Sequence, residues 1–101
     1  MGYAIVFNQV VQDQIKNLPG NIKAVVRQQI ALLSETPRPT HSKELDGHPH
    51  HFRIWLGAKY RLVWSVDDEN RLVRIRYVGP KIPDLYVYLG LGRSKNRGDE
   101  S

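Results

Sequence analysis

Apolar and polar positions along this chain change period twice, and each change marks a different kind of element. Tyr3 to Phe7 is a β-prone run that ends at Asn8, whose side-chain oxygen suits a helix N-cap. Val10, Val11, Ile15 and Leu18 then recur at helical spacing until Pro19-Gly20 interrupts them. Asn21 is placed to cap a second helix, and Ile22, Val25, Val26, Ile30 and Leu33 keep the helical period up to Thr36-Pro37. A strand followed by a two-helix hairpin is predicted. Pro37 to Pro49 holds three prolines, two histidines and a glycine, and reads as an irregular connection.

Beyond it the period becomes two, because successive side chains on a strand point to opposite faces. In His51 to Leu56, Phe52, Ile54 and Leu56 share one face, with Arg53 and Trp55 on the other. In Lys59 to Asp67, Tyr60, Leu62, Trp64 and Val66 form an apolar row against Arg61, Val63 and Ser65. In Arg71 to Gly79, Val73, Ile75 and Tyr77 read as core, and Leu72, Arg74, Arg76 and Val78 face opposite. Asp67-Asp68-Glu69-Asn70 supplies a polar turn between the second and third of these strands, so antiparallel pairing follows. Asp84 to Leu89 reads as a last short strand or a helical turn, and Arg93 to Ser101 as a polar tail that frays.

The predicted fold is therefore α+β: an N-terminal strand, a two-helix hairpin, then three to four mainly antiparallel strands, as one domain over residues 1–90 with a flexible tail over 91–101. The helices cover the apolar face of the sheet. The arginine face, with Arg53, Arg61, Arg74 and Arg76, is expected to stay open, since unpaired arginines are costly to bury.

Composition sharpens this picture only where it bears on partners. The 101 residues suffice for one core. A net charge of +5 favours an anionic partner, although a basic solvated surface without a ligand has the same charge. The absence of cysteine removes disulfides, a thiolate nucleophile and a zinc–thiolate site. Met1 to Phe7 lacks the basic start of a signal peptide, and no apolar run approaches the roughly 20 residues of a membrane helix. A soluble, cytoplasmic protein with no membrane partner is expected.

A cationic sheet face is suited to RNA. RNA can be cut without a metal when a protein aligns the 2′-hydroxyl with the adjacent phosphate, stabilises the phosphorane and protonates the leaving 5′-oxygen. Arginine binds phosphate oxygens with a planar, permanently charged fork, and tyrosine, lysine or histidine can move the protons. Arg53, Arg61, Lys81, Tyr86 and Tyr88, with His50 and His51 at the strand edge, supply these types. Trp55 is equally well read as a base-stacking residue or as an ordinary edge aromatic. Arg53 and Arg74 can also be read as solvated residues paired with Asp67, Asp68 or Glu69. The run His48-Pro49-His50-His51 lacks a further ligand at matching spacing, so neither metal nor cofactor is expected.

Lys43-Glu44-Leu45-Asp46-Gly47, Phe52-Arg53-Ile54, Tyr60-Arg61-Leu62-Val63-Trp64 and Val78-Gly79-Pro80-Lys81, in this order, resemble the RelE/ParE superfamily of toxins from type II toxin–antitoxin modules, over residues 3 to about 90. The RelE branch is the more similar. The resemblance implies a metal-independent mRNA endonuclease that acts in the ribosomal A site by 2′-hydroxyl attack, leaving a cyclic phosphate or 3′-phosphate. It implies catalytic roles for Arg53 at the RNA phosphate, Arg61 in the transition state, Lys81 where relatives usually have arginine, and Tyr86, with Tyr88 as its rival. Lys43, Trp55, Arg74, Arg76 and His50 are the accompanying candidates for RNA binding. Trp55 departs from the pattern, standing where the nearest relatives carry a second catalytic lysine. The implied partners are the ribosome with its mRNA and a separate antitoxin, through which alone DNA would be contacted. Two rivals stand beside this reading: a ParE-like gyrase poison, and a non-catalytic RNA-binding module.

Overall fold

Each predicted segment becomes an element, with its ends set by local hydrogen bonds. The computed structural model describes residues 2–82 and 85–90. The first strand, β1, spans Ala4–Val6, and the first helix, α1, spans Gln9–Lys16. Asn8 is the N-cap, its side-chain oxygen accepting from the Val11 amide at 3.0 Å. The second helix, α2 (Gly20–Leu33), starts a residue before the cap that the sequence suggested. Pro19 holds the extended N-cap backbone and its carbonyl accepts from Lys23 N at 2.8 Å, so Asn21 lies inside the first turn. The proline-rich connection contains a two-residue strand, β2 (Lys43–Glu44), formed through pairing rather than propensity.

β3 (His51–Leu56), β4 (Tyr60–Asp67) and β5 (Leu72–Pro80) follow as predicted, and the final segment is a helical turn, α3 (Leu85–Tyr88). The sheet is five-stranded in the order β1-β5-β4-β3-β2, antiparallel except that β1 lies parallel to β5. Gly57 takes a positive φ of 73° in the β3–β4 turn.

One irregularity redirects side chains. Trp64 lies opposite Ile75 and Val63 opposite Tyr77, which leaves Arg76 as an extra residue on β5. Such a bulge reverses the alternation beyond it. Val78 therefore joins the helix-side core and Tyr77 turns to the other face, the opposite of the strict period-two assignment.

The main core lies between the sheet and the helix hairpin: Val11, Ile15, Leu18, Val26 and Leu33 meet Phe52, Ile54, Leu56, Leu62, Trp64, Val66, Val73, Ile75 and Val78. Phe52 and Trp64 stack at 6.0 Å, and Trp64 Nε1 donates to the Pro37 carbonyl at 2.9 Å. β1 covers only the first part of β5. Farther along, Gln14 of α1 takes its place at the edge, its Oε1 accepting from Val78 N at 3.0 Å. Asp68 ties the β4–β5 turn down, accepting from Tyr3 Oη at 2.7 Å and from both terminal nitrogens of Arg38 at 3.1 and 2.8 Å. These bonds hold its carboxyl at about 2.

The arginine face is not fully open. Leu45, Val63, Tyr77 and Leu85 form a second buried cluster there, with Ile82 and Leu89 against it. The C-terminal turn and the loop after β2 thus cover part of a surface that strand alternation alone would leave to solvent. The tail over residues 91–101 lies outside the described residues.

Candidate functional site on the second sheet face

Strand register arranges the face in three rows, since residues paired across strands share a side. His51, Ser65 and Arg74 form the first row; Lys43, Arg53, Val63 and Tyr77 the second; Trp55, Arg61 and Gly79 the third. Beyond the third row Lys81 is exposed and its amide continues the ladder, donating to Lys59 O at 3.2 Å.

Lys43 and Arg53 are directly opposite one another on the β2 side, where the second cluster ends. Like charges so placed repel, and an anion between them turns the cost into a gain. Lys43 is exposed and Arg53 half-buried. Arg61 differs from both. It is 1 % exposed, and its guanidinium carbon lies 4.3 Å from the centre of the Trp55 ring, which itself stays 47 % exposed. A buried cation beneath a half-exposed indole is a local arrangement that alternation could not foresee.

The other predicted residues take varied places. Arg74 and His50 are exposed; His50 has a positive φ of 68°, and its amide donates to Glu44 Oε2 at 2.9 Å. Arg76, the bulge residue, ties the C-terminal turn to the sheet, with Nη2 donating to the Leu89 carbonyl at 3.1 Å and Nη1 to His51 Nε2 at 3.3 Å. His51 Nδ1 donates to the Pro49 carbonyl at 3.0 Å, which leaves Nε2 as the acceptor. Burial pushes the His51 pKa down, reinforced by Arg76 and by His48, whose ring stands edge-on to it. The side chains of Tyr86 and Tyr88 lie outside the described residues.

The site thus brings together Lys43, Arg53, Trp55 and Arg61, sets Lys81 at the end of the face and Arg74 at its opposite end, and uses Arg76 as a tie. Tyr77, expected in the helix-side core, is buried on this face instead, and its hydroxyl donates to the Pro80 carbonyl. Its phenol leans over Gly79, where an added Cβ would come within 2.9 Å of the hydroxyl oxygen. The signal was Val63, an apolar residue among arginines, together with Leu45, Leu85 and Leu89 outside the three strands. Among the described residues no group of three or more histidines and acids is arranged to hold a metal.

The same architecture is found in solved toxins. A doubly substituted Escherichia coli RelE in the free state superposes with a TM-score of 0.73 at 24% identity, covering 87% of this chain and 93% of that one. A RelBE toxin–antitoxin complex from Mycobacterium tuberculosis gives 0.66 at 26%, covering 80% and 100%. The archaeal RelE–RelB complex of Pyrococcus horikoshii gives 0.69 at 22%, covering 79% and 96%. No family model matches the chain. No curated protein matches it either. The fold is that of the RelE toxins of toxin–antitoxin modules, and this chain is RelE-like, as its strand segments implied.

Proposed function

We propose that this chain is the toxin of a toxin–antitoxin module and acts as a metal-independent mRNA endonuclease on the ribosome. The observation that carries the reading is the cross-strand pair Lys43 and Arg53, two cations facing each other at the β2 edge of the sheet, with Trp55 and Arg61 in the next row. A phosphodiester seated between the pair relieves their repulsion and is held by Arg53 on two oxygens. The 2′-hydroxyl of the preceding nucleotide gives its proton to water as its oxygen forms a bond to phosphorus, the bond from phosphorus to the 5′-oxygen breaks, and the 5′-oxygen takes up a proton. The products are a 2′,3′-cyclic phosphate and a free 5′-hydroxyl. Arg53 and Lys43 stabilise charge on the phosphorane, Arg61 adds to the field from below, and Lys81, exposed at the far end of the face, is the ammonium that the resemblance offers for the leaving group. The resemblance adds Tyr86 as a further proton-transfer or stacking residue.

An antitoxin completes the picture. The RelE proteins in several of the similar structures are bound to RelB antitoxins. For this chain, an acidic segment laid over the Lys43, Arg53 and Lys81 surface would silence the toxin by occupying the seat of the phosphate. The protein acts in the cytoplasm, where ribosomes and mRNA are found.

The test is primer extension on mRNA in a reconstituted translation reaction containing EDTA-resistant controls, run in parallel with a gyrase cleavage assay. Wild-type protein should give codon-phased cuts, and Arg53→Ala should lose at least about 100-fold in rate, the loss of one preorganised charge at a transition state. Uncut mRNA with trapped gyrase–DNA complexes would replace this reading with that of a gyrase poison. RNA binding without cuts in either assay would leave a binding module.

A further inference from the structure

Large aromatic side chains of the strands are mostly spent on packing. Trp64 is fully buried against Phe52, and Tyr77 is buried in the second cluster. Trp55 is different: nearly half of it meets solvent although it stands in a paired strand of the sheet. One side of its indole is occupied by the Arg61 guanidinium at 4.3 Å, a contact strengthened by the burial of that arginine. Arg53 stands two residues back on the same side of β3, roughly 7 Å along the strand, with Lys43 across from it. A half-exposed indole backed by one cation and flanked by two more matches what single-stranded nucleic acid requires, a base on the ring and a phosphate on the neighbouring cation.

We infer that Trp55 is a nucleobase platform that sets the register of the RNA, and that Arg61 is a positioning residue which holds the platform rather than a contact to the phosphate. The inference rests on the RNA-binding part of the proposed function. A phosphate oxygen needs an N–H edge that solvent also reaches, and Arg61 is 1 % exposed. Its flat guanidinium instead fixes the plane of the ring. A base stacked on the outer side of Trp55 places the phosphate of the adjacent nucleotide over Arg53 and Lys43. The ligand class is single-stranded RNA with an unstacked base, and because every base has a π-face the platform selects for an unpaired base rather than for a sequence, with the larger purines favoured.

Binding is separated from cleavage by using a 2′-O-methyl hexanucleotide, which lacks the attacking hydroxyl, and an abasic version of it. Acrylamide quenching of wild-type fluorescence reports on Trp55, since Trp64, the second of the chain's two tryptophans, is fully buried. The hexamer should protect Trp55 from acrylamide. Trp55→Ala should weaken hexamer binding about tenfold or more and Trp55→Phe by less, while the abasic oligomer should bind wild type and Trp55→Ala alike. Arg61→Lys keeps the charge but not the planar fork. It should raise acrylamide access to Trp55 and weaken hexamer binding, yet Trp55→Ala combined with Arg61→Lys should bind no worse than Trp55→Ala alone. Arg61→Met replaces Arg61→Lys if circular dichroism shows that the latter does not fold.

Hexamer binding by Trp55→Ala equal to that of wild type would overturn the platform. Tighter binding would overturn it too, making Trp55 a cover over Arg61. A full additional penalty from Arg61→Lys in the Trp55→Ala background would overturn the positioning role. Wild-type protein that binds through Trp55 but cuts no mRNA would remove the nuclease reading and leave the platform standing, whereas wild type that does not bind the hexamer removes the platform whatever it cuts.

Discussion

The two faces of the sheet are built from the same strands and held in different ways. The helix side is a continuous apolar layer in which Leu33, Leu62, Trp64, Val26 and Val73 are fully buried. Among the described residues, the other side has four buried apolar residues, one buried arginine, and ties made by single side chains: Arg76 to the Leu89 carbonyl and Tyr77 to the Pro80 carbonyl. The first face carries most of the hydrophobic driving force and specifies the fold. The second is less completely packed and keeps cations and an indole at the surface. The proposed function would account for this difference, because a face that holds a polyanion needs solvated or reversibly covered charge and cannot also be a complete core.

That contrast can be broken by substitution. Trp64→Ala should have the largest effect, about 3–5 kcal/mol, from lost contacts with Phe52 and the lost hydrogen bond to the Pro37 carbonyl. Leu85→Ala empties a place in the smaller cluster, which relaxes more easily, and should cost about 2 kcal/mol. Urea unfolding followed by circular dichroism measures both, and equal costs would mean that the second cluster is a core in its own right.

Gly79→Ala tests the packing of that cluster more finely. The new methyl must displace the Tyr77 hydroxyl from 2.9 Å, so the hydrogen bond to Pro80 is strained or lost, at a cost of about 1–2 kcal/mol. Adding Tyr77→Phe should restore part of that loss in the thermal midpoint, since the clash is with the hydroxyl end. A midpoint unchanged from wild type in Gly79→Ala would show that the ring need not lean over the glycine.

The smallest effects are those of pH, and they separate the two sides by window. The His51 pKa is lowered in the folded state, so the unfolded chain binds the proton more readily. Stability is therefore complete above the ordinary histidine pKa of about 6.5 and declines as pH falls below it towards the folded value. Asp68 is the opposite kind of group: its carboxyl is held at about 2 against an ordinary 3.8, so its contribution is present above 3.8 and is lost as pH falls through about 2. Thermal midpoints recorded against pH should show a shallower decline below about pH 6.5 in His51→Gln, with Asp68→Asn lacking the loss between about 4 and 2. A His51→Gln profile parallel to that of wild type would dissociate the histidine from the Arg76 tie.

Much of the architecture is legible in the sequence, and the reasons are local. Asn8 marks the start of α1 because its side chain can accept from the third amide onward, and the predicted strands His51 to Leu56, Lys59 to Asp67 and Arg71 to Gly79 differ from those observed by no more than a residue at either end. The N-terminus of α2 differs from expectation because Pro19 and Asn21 are both acceptable starts and only the Pro19 carbonyl bond chooses between them. β2 is invisible in the sequence because two residues carry no periodicity; pairing with Arg53 and Phe52 makes them a strand. Of the site, the row residues Lys43, Arg53, Trp55 and Arg61 can all be read from alternation or from the family resemblance, but not the burial of Arg61 nor the use of Arg76 as a tie.

What the amino-acid sequence determined alone was which side chains are apolar, with what period, and hence a helix hairpin backing a sheet with cations on its far side. Periodicity is a property of neighbours a few residues apart, so it survives without a fold. What only the tertiary structure decided was the bulge at Arg76 that exchanges Tyr77 and Val78, the return of Leu85 and Leu89 onto the arginine face, and the stacking of Arg61 beneath Trp55. Each of these depends on groups brought together across strands or from the C-terminal turn, and no local preference encodes such a meeting.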